Sequence, residues 1–234
     1  MSSHAGTTSR TSPRRVDRHP RRATITCVVD DEALLTAWRA GDQRAGSELF
    51  HRHFDAVFRF FRNKVDRGVD DLVQRTFTRC VEFRQSIKKD SAFRAFLFGV
   101  ARNVLREHYR GLKRRAREID FERESVVDLG ASPHSLIDGQ RQQRLLLEGL
   151  RRISLEDQTL LELYYWERLT GVDLGEFLGV NENTARTRLR RARLRLEKTL
   201  AELEASRELL QSTIENLDRW AEGVRLQLAV SRSA

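Results

Sequence analysis

The stretch VDLGEFLGVNENTARTRLRRARL, Val172 to Leu194, decides the fold. Val172–Leu178 has the spacing of a short helix, Gly179 tolerates a left-handed helix end, and Val180 to Asn183 make a tight connection. From Thr184 a second helix is expected, because Ala185, Leu189, Ala192 and Leu196 fall at i, i+4, i+7 and i+11 on one narrow face. Helix, glycine-containing turn, helix is the helix-turn-helix pattern.

The second helix carries Arg186, Arg188, Arg190, Arg191, Arg193 and Arg195, six guanidinium groups within ten residues. A solvated face, a membrane-surface helix and a nucleic-acid reader are the competing explanations. At 100° per residue Thr187, Arg190 and Arg191 point most nearly away from the alanine face, and Arg186, Arg188, Arg193 and Arg195 flank it. A solvated face mixes signs, yet Thr184 to Leu196 contains no acid. A membrane-surface helix needs bulky apolar residues where this one has alanines. DNA is the expected anion: the flanking arginines suit phosphates, and Thr184, Thr187, Arg190 and Arg191 suit base edges.

Composition agrees. Lys plus Arg number 43 against 34 for Asp plus Glu, a net charge of +9 in 234 residues that favours a polyanionic partner. The longest apolar-and-Gly run, Ala95 to Ala101, is far short of the roughly 20 residues that span a bilayer, so no membrane partner is expected. The N-terminus has arginines but no apolar core of a secretory signal, and a cytoplasmic protein is expected. Cys27 and Cys80 lie far apart without a CxxC, which reads as two ordinary thiols. No P-loop, GxSxG or HExxH is present, and His51 and His53 at i, i+2 do not share a helix face. No catalytic residue, metal or cofactor is expected.

Prolines 13, 20 and 133 divide the chain. Residues 1–29 read as a disordered basic tail, and 116–138, which includes DLGASPHS, as an acidic linker. Between them the periodicity is helical. Leu34, Leu35 and Trp38 begin one stripe; Phe50, Phe54, Val57 or Phe58, Phe61 and Val65 form another; Val73, Phe77 and Cys80 line a helix opened by Asp70 and Asp71. A fourth helix, about 92–115, is apolar in its first half and basic in its second. After the linker come a helix through Leu145, Leu146, Leu150 and Ile153, and one over Leu155–Trp166 with Ser154 and Asp157 as a capping box. The expected fold is all-α: two small helical domains, 30–115 and 139–198, joined by the linker and followed by a C-terminal amphipathic helix, 199–234.

Four segments in this order, LLTAWRAGDQRAGSELF, DDLVQRTF, FRAFLFGVARNVLREHYR and LLELYYWERLTGVDLGEFLGVNENTARTRLRRAR, resemble the extracytoplasmic-function sigma factors of the sigma-70 family. The resemblance implies an alternative sigma subunit that binds the β and β′ subunits of core RNA polymerase and recognises promoter DNA. It places Asp71 and Gln74 against the polymerase clamp. It places the loop from Ser86 to Ala92, with Lys88 and Lys89, at a flipped-out minus-10 base. Arg102, Asn103, Arg106, His108, Tyr109, Arg110 and Lys113 then lie along the melting minus-10 region, where charge plus an aromatic suits single strands. Thr184, Arg186, Thr187, Arg188, Arg190 and Arg191 would read the minus-35 element. Four positions depart from the family's pattern: Arg75 stands where an acid is usual, Phe96 where a tryptophan is usual, Gly175 where an alanine is expected, and Arg168 where a turn glycine is frequent. The alternative is a helix-turn-helix regulator that acts without polymerase, which gives no account of DDLVQ.

Beyond the recognition helix, Leu196, Leu200, Leu203, Arg207, Leu210, Ile214, Leu217, Ala221, Val224 and Leu228 keep a heptad spacing with Arg207 as its polar interruption. This seam must be buried. Folding back onto the chain is favoured by Gly223 and Trp220; self-pairing and an anti-sigma factor are the other occupants.

Overall fold

The computed structural model describes residues 30–87, 93–112, 120–130, 141–204, 207–216, 219 and 222–225. Among these the fold is all-α, as expected, and contains no strand. Helices α1 (Asp31–Arg39), α2 (Gln43–Arg62), α3 (Val69–Glu82) and α4 (Phe93–Leu112) make the first half; α5 (Arg141–Arg152), α6 (Leu155–Tyr165), α7 (Gly171–Leu178) and α8 (Glu182–Leu203) make the second. A further helix, α9 (Arg207–Glu215), follows.

Local chemistry explains most of the boundaries. Asp30 and Asp42 cap α1 and α2 by accepting from backbone amides, Ala33 N at 2.8 Å and Arg44 N at 2.8 Å. Gly68, at φ 76°, supplies the left-handed entry to α3. Leu35, Leu49, Val57, Phe61, Leu72, Leu97, Phe98 and Leu105 bury completely between α1 and α4. Gly46 lets Trp38 lie against α2: a Cβ there would sit 2.4 Å from its ring.

The capping box expected at α6 is half formed. Ser154 Oγ accepts from Asp157 N at 3.2 Å, but the Asp157 carboxylate turns away to Arg195. A complete box appears one helix later, where Thr170 and Asp173 cap α7 reciprocally.

The linker is more than a tether where it is described. Phe121, Val126 and Leu129 are buried, and the amides of Leu155 and Glu156 donate to the carbonyls of Glu124 and Phe121 at 2.9 Å each. The two halves share a core as well. The cluster built on α1–α4 continues through the linker to Leu155, Leu160 and Leu163 of α6 and to Leu174 and Phe177 of α7.

The seam beyond Leu196 folds back, the favoured outcome. Helix α8 breaks at Glu204, whose φ −125° and ψ 116° are extended, and α9 returns across α5 and α8. Leu196, Leu200 and Val224 join Leu146, Leu150, Leu161 and Trp166 in a second core, with Leu203, Leu210 and Ile214 at its edge. Leu217, Ala221 and Leu228 of the expected seam, and Trp220 beside it, lie outside the described residues.

Candidate nucleic-acid interface

The helix-turn-helix is built from α7 and α8. Gly179 ends α7 in the left-handed conformation at φ 67°, and Asn181 Oδ1 caps α8 by accepting from Thr184 N at 2.8 Å. Gly175 has a reason to be neither alanine nor anything larger. A Cβ there would meet the Val180 carbonyl oxygen at 2.9 Å, because α7 closes tightly onto the turn. Arg168, in the loop before α7, holds φ at 56°, a left-handed conformation that glycine adopts without strain.

On α8 the inner face is as expected. Ala185, Ala192 and Leu196 are buried, Leu189 is half-buried, and Thr187, Arg190 and Arg191 are exposed. The arginine set needs a correction. The absence of acids inside 184–196 leaves the guanidinium groups less lonely than expected, because acids flanking the stretch and one on α6 reach them. Arg186 pairs with Glu182 at 2.6 Å, Arg193 with Glu197 at 2.9 Å, and Arg195 makes a bidentate contact with Asp157. Arg188, Arg190 and Arg191 hold no ion pair among the described residues, so the unneutralised charge concentrates on the outer face. Thr187 Oγ1 donates to the Asn183 carbonyl at 2.9 Å, so its hydroxyl keeps only acceptor capacity for an outside partner.

The minus-10 candidates divide. Ser86 is exposed and closes a short 3-10 turn by donating to the Phe83 carbonyl at 2.7 Å. Lys88, Lys89 and Lys113 lie outside the described residues. Asn103 and Arg110 are exposed on α4, and His108 is half-buried with its ring edge toward Tyr109. Two candidates are engaged elsewhere. Arg102 donates to Glu156 of α6 at 2.6 Å and lies over the Phe177 ring, and Arg106 lies over the Phe121 ring of the linker. Tyr109 is buried and donates its hydroxyl to the Lys64 carbonyl. Its position opposite α2 makes it part of the core, a role its place in a basic helix end conceals.

The clamp candidates Asp71 and Gln74 are both exposed on α3. Gln74, with Asp70, borders a shallow groove lined also by Phe50, Phe54, Val73, Phe77 and Val81, of which periodicity assigns all but Val81 to the core. Arg75, the departure from the family's pattern, reaches Glu107 of α4 at 3.2 Å, and Arg79 binds the same carboxylate bidentately at 2.7 Å. The hydrogen bonds from Arg79 hold the Glu107 carboxyl below its ordinary range. Burial pushes the Cys80 thiol up to about 12, as befits a packing residue.

An all-α scaffold that presents a helix-turn-helix with an arginine-rich outer face defines a DNA-binding protein. The sequence matches the family models for Sigma-70 region 2 over residues 49–115 and for Sigma-70, region 4 over residues 143–196. The ECF RNA polymerase sigma-E factor of Haemophilus influenzae is 24% identical over 184 residues, covering 75% of this chain and 97% of that protein. The ECF RNA polymerase sigma factor SigC of Mycobacterium tuberculosis is 29% identical over 180 residues, covering 72% and 92%. The structure of CnrH in complex with the cytosolic domain of CnrY shares the fold at a TM-score of 0.52 and 23% identity, covering 74% of this chain and 97% of that one. The chain belongs to the extracytoplasmic-function branch of the sigma-70 family. It is an alternative RNA polymerase sigma factor that directs transcription initiation, and its partners are core RNA polymerase and promoter DNA. Sigma factors regulate and do not catalyse, and no helix among the described residues is long and apolar enough to cross a membrane.

Proposed function

We propose that residues 30–115 form the unit that grips core polymerase and the minus-10 element, and that 139–198 form the unit that reads the minus-35 element. Residues 116–138 join them and 199–234 extend the second. The chain acts in the cytoplasm and has no catalytic chemistry of its own. The observation that carries the minus-35 assignment is the outer face of α8, where Arg190 and Arg191 stand exposed, with no ion pair among the described residues, opposite a buried Ala185/Ala192 face. Such an arrangement lets the helix enter a major groove with its guanidinium groups toward base edges. Thr184, Arg186, Thr187 and Arg188 complete the contact surface toward bases and phosphates. In the first unit, Asp71 and Gln74 offer polar contacts to the clamp, while Ser86, Asn103, His108 and Arg110 offer a polar and basic track for separated strands.

Transcription in vitro with purified core enzyme on a genomic library tests this reading. Start sites that share two spaced motifs are expected; failure of the chain to bind core enzyme overturns it. A helix-turn-helix regulator that works without polymerase is not favoured, since it leaves the match to Sigma-70 region 2 without a purpose.

A further inference from the structure

The polar contacts between the two halves are numerous and buried. Arg59 of α2 binds Glu167 with two parallel hydrogen bonds, 3.0 and 2.9 Å, and both side chains are about nine-tenths buried. Next to it, the Lys64 ammonium is fully enclosed between the Glu162 carboxylate, the Phe60 carbonyl at 2.9 Å and the Phe60 ring at 4.2 Å. Asn63 and Gln158 each donate to the same Glu162 oxygen at 2.9 Å, and Arg151 donates to Asn63 Oδ1 at 3.0 Å. Every one of these groups regains water if the halves separate. A buried ion pair contributes little net stability but penalises loss of either partner heavily, so beside the apolar core the halves share, closure depends on each of these pairs staying intact.

Promoter geometry requires that separation. On the reading proposed above, α4 and α8 serve elements whose names place them about 25 base pairs apart, which is roughly 85 Å of duplex at 3.4 Å per base pair. In this structure α4 packs directly on α7 of the helix-turn-helix, and Arg102 and Arg106 are occupied by Glu156 and Phe121. The closed chain cannot serve both elements at once.

The C-terminal extension grips the same contact from behind. Arg225 donates to the Trp166 carbonyl at 3.2 Å and pairs with Glu222, which lies 3.7 Å from Arg168. Val224, between them, is fully buried beside Trp166 in the second core. The turn Trp166-Glu167-Arg168 is thus held on one side by the extension, while Glu167 at its centre holds Arg59 on the other. Arg168 keeps its left-handed φ inside this grip.

We propose that the extension is an intramolecular clamp: by fixing the 166–168 turn it orders Glu167 against Arg59 and keeps the two promoter-reading halves closed until polymerase or another partner separates them. This rests on the sigma reading only for its purpose. Closure itself is a property of the isolated chain and can be measured without polymerase.

The test compares the full chain with three variants: Glu167→Gln, Arg225→Ala, and a chain ending at Glu204. Small-angle scattering reports closure, circular dichroism reports helix content, and binding of a 12-nucleotide single-stranded DNA at low salt reports access to α4. The wild-type chain should scatter as a closed particle. Each variant should shift toward an open one and bind the oligonucleotide on the order of tenfold more tightly, the effect of removing one charge-assisted contact from the closed state. Unchanged scattering in Glu167→Gln and Arg225→Ala, with helix content intact, overturns the clamp. So does a truncated chain that loses helix content beyond the deleted residues, which assigns the extension to folding of the second half instead. An opened variant with unaltered oligonucleotide binding refutes occlusion of α4. Failure of wild type in transcription, with the scattering result as expected, would refute the sigma reading and leave the clamp standing.

Discussion

At the scale of single residues, Gly175 shows how a departure from family pattern acquires a cause. Helix propensity favours alanine there by about 1 kcal/mol. The Val180 carbonyl oxygen at 2.9 Å from a Cβ opposes it, and because that atom is backbone the whole turn must shift. Gly175→Ala should therefore lower stability by about 1–3 kcal/mol, an overpacking cost, as measured by urea unfolding. A gain in stability would show that the turn yields easily. The arginines of α8 likewise separate by their partners. Arg190→Ala should cost about 1–3 kcal/mol at one minus-35 position, whereas Arg193→Ala, which frees Glu197, should weaken all promoters alike and reduce the salt slope by about 1 or less. Affinities measured across a set of promoter variants and salt concentrations distinguish the two; equal profiles contradict the assignment of faces.

At the scale of elements, the Arg75–Glu107–Arg79 cluster ties α3 to α4, and so ties the helix proposed to face the clamp to the one proposed to follow the melting strand. Glu107 has a folded-state pKa below its ordinary 4.5, caused first by the hydrogen bond from Arg79. Its contribution to stability is present above about 4.5, the unfolded value, and is lost as pH falls through the lower folded value. Glu107→Gln should therefore flatten the acid limb of a stability-against-pH curve below that point while lowering the plateau at neutral pH. An acid limb identical to wild type would show the cluster to be solvent-screened and idle. Elements were also the scale at which sequence spoke most clearly. Ala185, Leu189, Ala192 and Leu196 identified the inner face of α8, and Leu34, Leu35 and Trp38 that of α1, because a buried stripe repeats every three to four residues. The break of α8 at Glu204 was less visible. The heptad phase runs on through it, and only Arg207 marks the interruption.

At the scale of the molecule, the sequence was nearly silent. Arg59, Asn63, Lys64, Glu162 and Glu167 look like ordinary polar positions, since nothing in a periodicity says that residues 98 or 108 apart in sequence will meet in a buried pair. The linker hid Phe121, Val126 and Leu129 in a run of acids for the same reason: single apolar residues carry no period. The shared core has a thermodynamic signature. Urea should unfold the wild-type chain in one transition, because parting the halves exposes Leu155, Leu160, Leu174 and Phe177 together with the first half's core. Glu162→Gln leaves the Lys64 ammonium enclosed without its paired carboxylate, a loss of about 3–5 kcal/mol for the closed form. That variant should unfold in two steps, and a single step at an unchanged midpoint would show that closure and folding are not coupled.

Arg168 carries a consequence for descent. Chains that end soon after the recognition helix have no Glu222 to reach, and a left-handed turn residue with no such task is best filled by glycine. Extension and arginine should then have entered this lineage as a pair. Among relatives, a basic residue at this position should travel with a C-terminal tail, and a glycine with its absence.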